Sequence, residues 1–396
     1  MAPRPADIEY DWIDSDEDLR SFVRETTGEP RYYLDTEFHR EKTYFPQLAL
    51  IQIANTRRTV LIDPACVDAE LLRPLFEGDG WCVLHAAQQD LDVMSQSCGF
   101  IPARIIDTQL CAGFLGWSQP SLASLLQSYL KVTVPKGDRL TDWMRRPLTR
   151  DQMTYAASDV VHLPELLGLI MEQLDALGRT QWALDACEEL RRRPTGPNPP
   201  EDAWLRVKDV RTLRGRSRWI AREVAAWRER RAMDLDLPPR HVLSDIAILA
   251  VSQKAPRTPE DLVQNRGVDN RHASGQHGRA LLDAIHRGVE HAASGELHFP
   301  SGDNEELDRS MKPAATLVSA WITELARQAK LDASLLGTRK DIVDLLAGAP
   351  HARLGEGWRA EIVGRDIEDL VAGRKALTFS RTGSETGLKL VEVPQT

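Results

Sequence analysis

The stretch Tyr32-Tyr33-Leu34-Asp35-Thr36-Glu37-Phe38 decides how the first half of the chain is read. Aromatic and aliphatic residues followed by Thr, with no helical period, predict a strand. Side chains alternate across a strand, so Asp35 and Glu37 share one face. Carboxylates so close on a half-buried strand repel one another unless a positive charge lies between them, and a divalent cation supplies it. The competing reading is an edge strand with a solvated acidic face, because acids are mostly exposed. The rest of the chain must choose.

Working outward, residues 47–54 (Leu48, Leu50, Ile51, Ile53) and 59–62 read as two more strands joined by the polar turn Asn55-Thr56-Arg57-Arg58. Before them, residues 1–30 mix acids with Trp12 and Phe22 and predict a lead-in helix over 16–24, with Ser15 as N-cap. After them come a short helix over 68–77 and an apolar run of strand length, Trp81-Cys82-Val83-Leu84-His85. A helix over 88–98 follows, stopped by Gly99, then helices over 107–115 and 121–130. Three strands in a meander, then strand–helix alternation, predict an α/β layer with a mixed sheet.

From Thr149 onward the pattern is helical, with Met153, Ala156, Val160, Leu163, Leu167, Ile170 and Leu174 in one apolar stripe. Tyr155 and Asp159 stand beside it at i, i+4, one turn apart on the same side. Pro164 lacks the amide that would meet the carbonyl of Val160, which predicts a kink just after Asp159.

The clearest boundary is Arg193-Pro194-Thr195-Gly196-Pro197-Asn198-Pro199-Pro200, a semi-stiff linker. Beyond it the chain reads as helical, with a second loose stretch over 294–304 and further helices over 313–330, 338–347 and 361–372. Three units are expected: residues 1–195, 205–292 and 305–390. A hydrophobic content of 42% and a charged content of 28% are those of an ordinary soluble protein. No basic leader with an apolar run and no membrane-length apolar stretch is visible. Five scattered cysteines, none in CxxC spacing, argue for a reducing compartment and against a zinc framework, so a cytoplasmic location is expected. The net charge of −9 hides a basic segment: residues 206–231 hold ten basic residues against three acids, a local balance of +7. Such a segment is either a solvated helix face or a local field for phosphates.

If Asp35 and Glu37 hold a metal, further oxygen ligands must come from elsewhere. Asp90 falls in the first turn of the helix after the strand over 81–85, near a strand's carboxyl end where ligands of α/β sheets gather. Asp159 and Tyr155 lie on the long amphipathic helix. Four carboxylates and a phenol from three separate elements suit hard divalent cations that keep open positions for phosphate oxygens and water. Each has a bland reading of its own: Asp90 as a first-turn acid, Asp159 as a surface acid, Tyr155 as core edge.

Order and spacing carry the signal. Asp35-Thr36-Glu37, then His85-Ala-Ala-Gln-Gln-Asp90, then Tyr155-Ala-Ala-Ser-Asp159 resembles the DEDD superfamily of 3′→5′ exonucleases, in the branch with Tyr four residues before the last Asp. Lys136, Thr141-Asp142-Trp143, Arg146-Pro147-Leu148-Thr149 and Gln152 narrow the resemblance to the ribonuclease D family, although the wording of 131–141 follows that family only loosely. In the second unit, Trp219-Ile220-Ala221-Arg222-Glu223-Val224, Asp236-Leu237-Pro238 and His277-Gly278-Arg279-Ala280-Leu281-Leu282 resemble the HRDC domain. Leu336-Gly337-Thr338-Arg339 and Gly357-Trp358-Arg359 look like a second, HRDC-like unit.

The resemblance implies a ribonuclease H-like mixed sheet flanked by helices, plus two all-α HRDC-type domains. It implies a metal-dependent exoribonuclease that trims tRNA precursors and other small structured RNAs to 5′-nucleoside monophosphates. Asp35, Glu37, Asp90 and Asp159 would hold two divalent cations, Mg²⁺ or Mn²⁺, and Tyr155 would position the attacking water. Thr36 and Phe38 would contact the terminal nucleotide, and Arg214, Arg218 and Arg222 would hold RNA phosphates. The expected partner is RNA, with no membrane, and the expected state is a monomer. A DNA exonuclease on the same fold, or a non-catalytic nucleic-acid-binding protein, are the alternatives; the presence of all four acids with Tyr155 speaks against the latter.

Overall fold

The structure, a computed structural model, describes residues 8–134, 141–295, 297, 307–381 and 386–394. Lys136 lies outside them. The chain begins with β1 (Asp11–Ile13) and α1 (Asp16–Thr26), the helix capped by the Ser15 side chain. The expected meander follows as β2 (Arg31–His39), β3 (Gln47–Ala54) and β4 (Thr59–Ile62). Then come α2 (Arg73–Phe76), β5 (Trp81–Leu84), α3 (Gln88–Cys98), β6 (Ile105–Asp107), α4 (Thr108–Gly113) and α5 (Leu122–Tyr129).

These strands form one mixed sheet in the order β1-β4-β3-β2-β5-β6. The meander is antiparallel, whereas β1 pairs parallel with β4, and β5 pairs parallel with β2 and β6. Two strands of this sheet escape the sequence reading. A three-residue strand is too short to display alternation, and tertiary pairing alone makes β1 and β6 strands. The helix expected over 107–115 therefore starts one residue after β6, with the Asp107 side chain as its cap.

Only Arg31, Tyr32 and Tyr33 of β2 pair with β5, so the half of β2 that carries Asp35 and Glu37 outruns its neighbour. On its other edge β2 stays paired with β3, through a bulge between Glu37 and Phe38. Bulges bend a strand and re-aim its side chains. The long helical stripe is cut in two, α6 (Arg150–Val161) and α7 (Leu163–Ala176), with Pro164 in the first turn of α7. Thr149 and Gln152 close a capping box at the start of α6. This helix lies over β2, β3 and β4, where Ala156 and Ala157 pack against Leu50 and Leu61.

The layer ends in α8 (Thr180–Arg191). Past the linker, α9 (Arg216–Leu235), α10 (Pro239–Val242), α11 (Asp245–Lys254), α12 (Pro259–Val263), α13 (Asn270–Ala273) and α14 (Gly275–His291) enclose a core of their own, including Trp204, Ile220, Val224, Leu243, Ile248, Leu281 and Ile285. The third block holds α15 (Lys312–Ala329), α16 (Ala333–Leu336), α17 (Arg339–Leu346), α18 (Gly357–Arg359) and α19 (Arg365–Val371). It adds a hairpin, β7 (Lys375–Ser380) with β8 (Gly387–Glu392), to the helices expected there. The two-residue alternation of Leu377 and Phe379, and of Leu388 and Leu390, is the signal for it.

The buried side chains of the third block are continuous with those of the α/β layer. Trp358 stacks on Trp182 of α8 (centroids 5.4 Å, planes 18° apart) and meets Phe114 edge-on. Arg359, only 2% exposed, pairs with Glu189 at 2.6 Å.

Candidate active site

Strand β2 and helix α6 bring three acids together. One carboxylate oxygen each of Asp35, Glu37 and Asp159 lies within 4.8 Å of the other two, and all three residues are half-buried. Asp90 stands outside this triangle, buried in the first turn of α3, where the Thr36 hydroxyl donates to its Oδ1 at 2.5 Å. Tyr155, one turn before Asp159, packs at 6.1 Å against the ring of buried Trp143.

The electrostatics of this cluster are those of like charges crowded out of water. Burial raises the Asp35 carboxyl well above the usual carboxylate range, and the charges of Asp90, Asp159 and Glu37 push it further. Burial, then Asp159 and Asp90, lift Glu37 to about 8. Burial lifts Asp90 and Asp159 each to about 7, although the bond from Thr36 and the contact with Tyr155 pull the other way. Burial and the neighbouring acids push the Tyr155 phenol well above its ordinary value, so it keeps its proton. Among the described residues no cationic side chain forms an ion pair with these acids. Four hard oxygen donors, each with its carboxyl raised by burial, fit a divalent metal ion.

Several residues beyond the four acids and Tyr155 shape the site. Asp107, 2% exposed, accepts from the backbone N–H groups of Ala86, Ala87, Gln109 and Leu110. It thereby holds the turn, with Ala86 at φ +58°, from which α3 delivers Asp90. Arg146 donates to both Asp63 oxygens, at 2.6 and 2.8 Å, and to the carbonyls of Ala49 and Trp143. The segment bearing Trp143 is thus tied to the sheet under Tyr155. The contacts of Asp107 with Ala86 and Ala87, and of Arg146 with Asp63 and Ala49, join residues twenty or more positions apart, which only the folded chain brings together. His85 ends β5 with its ring nitrogens engaged by Thr108 and the carbonyl of Pro120.

The expected RNA contacts fare differently. Thr36 is buried and its hydroxyl donates to Asp90. Phe38 is half-exposed at the bulge. The guanidinium groups expected to meet phosphates have partners within the chain: Arg214 donates to the carbonyls of Arg211 and Leu213, Arg218 to those of Leu213 and Leu297, and Arg222 to Glu223. Within the same run Arg206 pairs with Glu229, Arg228 with Asp245 and Arg230 with Glu201. Glu223 and Glu229 belong to the run and are already counted in its +7, whereas Asp245 and Glu201 come from outside it, so part of the basic charge is engaged in holding α9 in place.

Comparison with known proteins agrees with this geometry. Residues 10–175 match the family model for a 3′–5′ exonuclease, and residues 217–285 match the HRDC domain. Ribonuclease D of Acidiphilium cryptum is 34% identical over 95% of this chain and 97% of its own length. Ribonuclease D of Escherichia coli is 31% identical over 92% of this chain and 99% of its own. The crystal structure of the E. coli enzyme, described as an exoribonuclease involved in structured RNA processing, superposes with a TM-score of 0.82 at 29% identity, covering 92% of this chain and 99% of that one. The catalytic core of RRP6 from Trypanosoma brucei shares the fold at a TM-score of 0.59 and 20% identity. Matches of this length run through the acid cluster, the linker and both helical blocks, and the chain belongs to the ribonuclease D family.

Proposed function

We propose that this protein is a 3′→5′ exoribonuclease that trims the 3′ ends of tRNA precursors and other small structured RNAs, releasing 5′-nucleoside monophosphates. The observation that carries this reading is the convergence of Asp35, Glu37 and Asp159 within 4.8 Å, with Asp90 beside them, in a chain of this family. Asp35, Glu37, Asp90 and Asp159 are assigned as the ligands of two divalent cations, Mg²⁺ or Mn²⁺. Cations in such a site acidify a water and neutralise charge on the phosphate oxygens. The chain's own groups do the rest. Tyr155 keeps its proton and orients the water through its hydroxyl, with Trp143 fixing the ring from behind. Thr36 and Asp107 hold Asp90 at the site.

Residues 1–195 are assigned to the exonuclease unit, 205–292 to the HRDC unit and 305–390 to the HRDC-like unit. Phe38 and the exposed basic residues of the second unit are the RNA-facing groups in this reading. The chain acts as a monomer in the cytoplasm; among the described residues no helix is long and apolar enough to cross a membrane. A 5′-labelled RNA incubated with Mg²⁺ should shorten from its 3′ end one nucleotide at a time, and a DNA of the same sequence should shorten more slowly. Asp35→Asn and Asp159→Asn proteins that digest RNA as fast as the parent would refute the site assignment.

A further inference from the structure

One buried side chain on the active-site face has no evident reason to be polar. Gln52 of β3 sits directly opposite Asp35 of β2 and, across its other edge, opposite Leu61 of β4. Residues opposed in an antiparallel pair project to the same face, with Cβ atoms roughly 4.5–5.5 Å apart. Gln52 therefore stands beside Asp35, on the face that α6 covers. It is 0% exposed, and neither its Oε1 nor its Nε2 has a hydrogen-bond partner among the described residues. Leu50, Leu61, Ala156 and Ala157 pack this seam between sheet and helix.

An unpaired amide in such a seam costs about 1–3 kcal/mol for each unsatisfied group. Leucine or methionine would fill the same volume without that cost. Native proteins keep few buried polar groups unpaired, so an unpaired amide beside the acid cluster calls for an explanation. The polar group that the strand register sets next to Gln52 is Asp35. Carboxylates that ligate a cation are themselves hydrogen-bonded from behind, which fixes the oxygen facing the ion.

We propose that Gln52 is a positioning residue of the metal site: when Asp35 ligates a cation, the Gln52 amide nitrogen donates to the Asp35 carboxylate and holds it in the ligating orientation. This rests on the reading of Asp35 as a metal ligand. Gln52 touches neither substrate nor ion; it acts through Asp35. The amide that is a burden in the metal-free protein becomes paired in the loaded one.

Two readouts of opposite sign separate this from a packing role. Full-length parent, Gln52→Met and Asp35→Asn proteins are melted in EDTA and titrated with Mn²⁺, free ion being followed by electron paramagnetic resonance. Gln52→Met should melt at or above the parent temperature in EDTA, yet bind Mn²⁺ about 10–100-fold more weakly. Parent-like Mn²⁺ affinity in Gln52→Met, with weak binding in Asp35→Asn, overturns the role of Gln52 alone. Parent-like affinity in Asp35→Asn overturns the metal-ligand reading beneath it. Should Gln52→Met fail to fold, crystals of the parent grown with Mn²⁺ decide: the amide nitrogen should lie within about 3.2 Å of an Asp35 oxygen, and an amide turned elsewhere overturns the proposal.

Discussion

Thr36 donates its hydroxyl proton to Asp90 Oδ1 across 2.5 Å, and this contact ties the strand that carries Asp35 and Glu37 to the helix that carries Asp90. Both partners are buried, at 5% and 6% exposure, so water does not compete for the bond. The bond also favours the ionised form of Asp90, opposing the burial that lifts its carboxyl to about 7. Thr36→Val keeps the shape and removes the donor. Asp90 should then titrate higher, moving the rising limb of the pH–rate profile to more alkaline pH. Activity at neutral pH should fall about 10–100-fold, the range for losing a hydrogen bond behind a metal ligand. A parent-like profile would show that Asp90 does not depend on Thr36.

The acid cluster sets a direction for stability against pH in the absence of metal. Glu37 near 8 and Asp159 near 7 both lie above their unfolded values, so the folded state holds protons that the unfolded chain releases. Stability from these groups is present below the unfolded carboxylate range near 4 and is lost as pH rises to about 8. In EDTA, Asp159→Asn should therefore melt above the parent at pH 8, by roughly 2–4 °C for each kcal/mol of repulsion removed. The gap should close at pH 5, and it should reverse when Mg²⁺ is added to the parent. A constant gap across pH would mean that Asp159 is not held protonated by its neighbours.

Tyr155 is pushed above the ordinary phenol range by burial and by Asp159, Glu37 and Asp35, so it cannot be the group that loses a proton near neutrality. Tyr155→Phe should lower kcat by about 10²–10⁴-fold, as expected for a lost positioning or proton-handling group. Mn²⁺ affinity should stay as in the parent, while the acidic limb of the pH–rate profile should move to higher pH, because Asp159 loses the hydrogen bond from Tyr155 that favours its ionised form. Disappearance of the acidic limb altogether would assign it to the phenol and contradict its protonated state.

How much of this was legible beforehand follows from where each signal is stored. Asp35, Glu37, Asp90, Tyr155 and Asp159 are local motifs on elements with clear periodicity, and the meander and the break before Pro164 are equally local. Asp107, Arg146 and Gln52 act through partners on other elements, and nothing in their own neighbourhoods shows which groups they meet. The arginines of α9 make the opposite case. Their sequence pattern suggested phosphate contacts, while Asp245 and Glu201 approach from outside the helix to pair Arg228 and Arg230. Strands of three residues, β1 and β6, lie below the length at which alternation can be read.

Trp358 belongs to the third block but stacks on Trp182 and abuts Phe114, so it is part of the α/β core. The chain should then unfold calorimetrically in two steps, one for residues 203–285 with their separate core and one for everything else. Trp358→Ala removes a buried aromatic at a cost of about 3–5 kcal/mol. It should lower the second of these transitions and leave the other in place. A third transition, moved alone by this substitution, would mean that the C-terminal block folds independently of the exonuclease layer.

Asp236, in the left-handed cap that ends α9, accepts at 3.0 Å from the backbone N–H groups of both Tyr44 and Phe45. Tyr44 reaches on to Glu229 with its hydroxyl, at 2.7 Å. Residues 40–46 run directly out of β2, so the second unit grips the loop next to the acids and walls a cleft of about 350 Å³ with Arg40, Gln96, Asn198 and Arg206. Charge-assisted bonds of this kind contribute about 1.5–3 kcal/mol each. Asp236→Ala should loosen the loop and the placement of the second unit without touching the carboxylates. On a short single-stranded RNA its kcat/KM should match the parent, whereas on a structured RNA with a short 3′ tail it should fall about tenfold or more, the equivalent of about 1.4 kcal/mol. Asp236→Asn, which keeps an accepting oxygen, should recover most of the loss. An equal fall on both substrates would place the effect in the catalytic site, and no fall on either would mean that the grip on Tyr44 and Phe45 has no part in handling structured RNA.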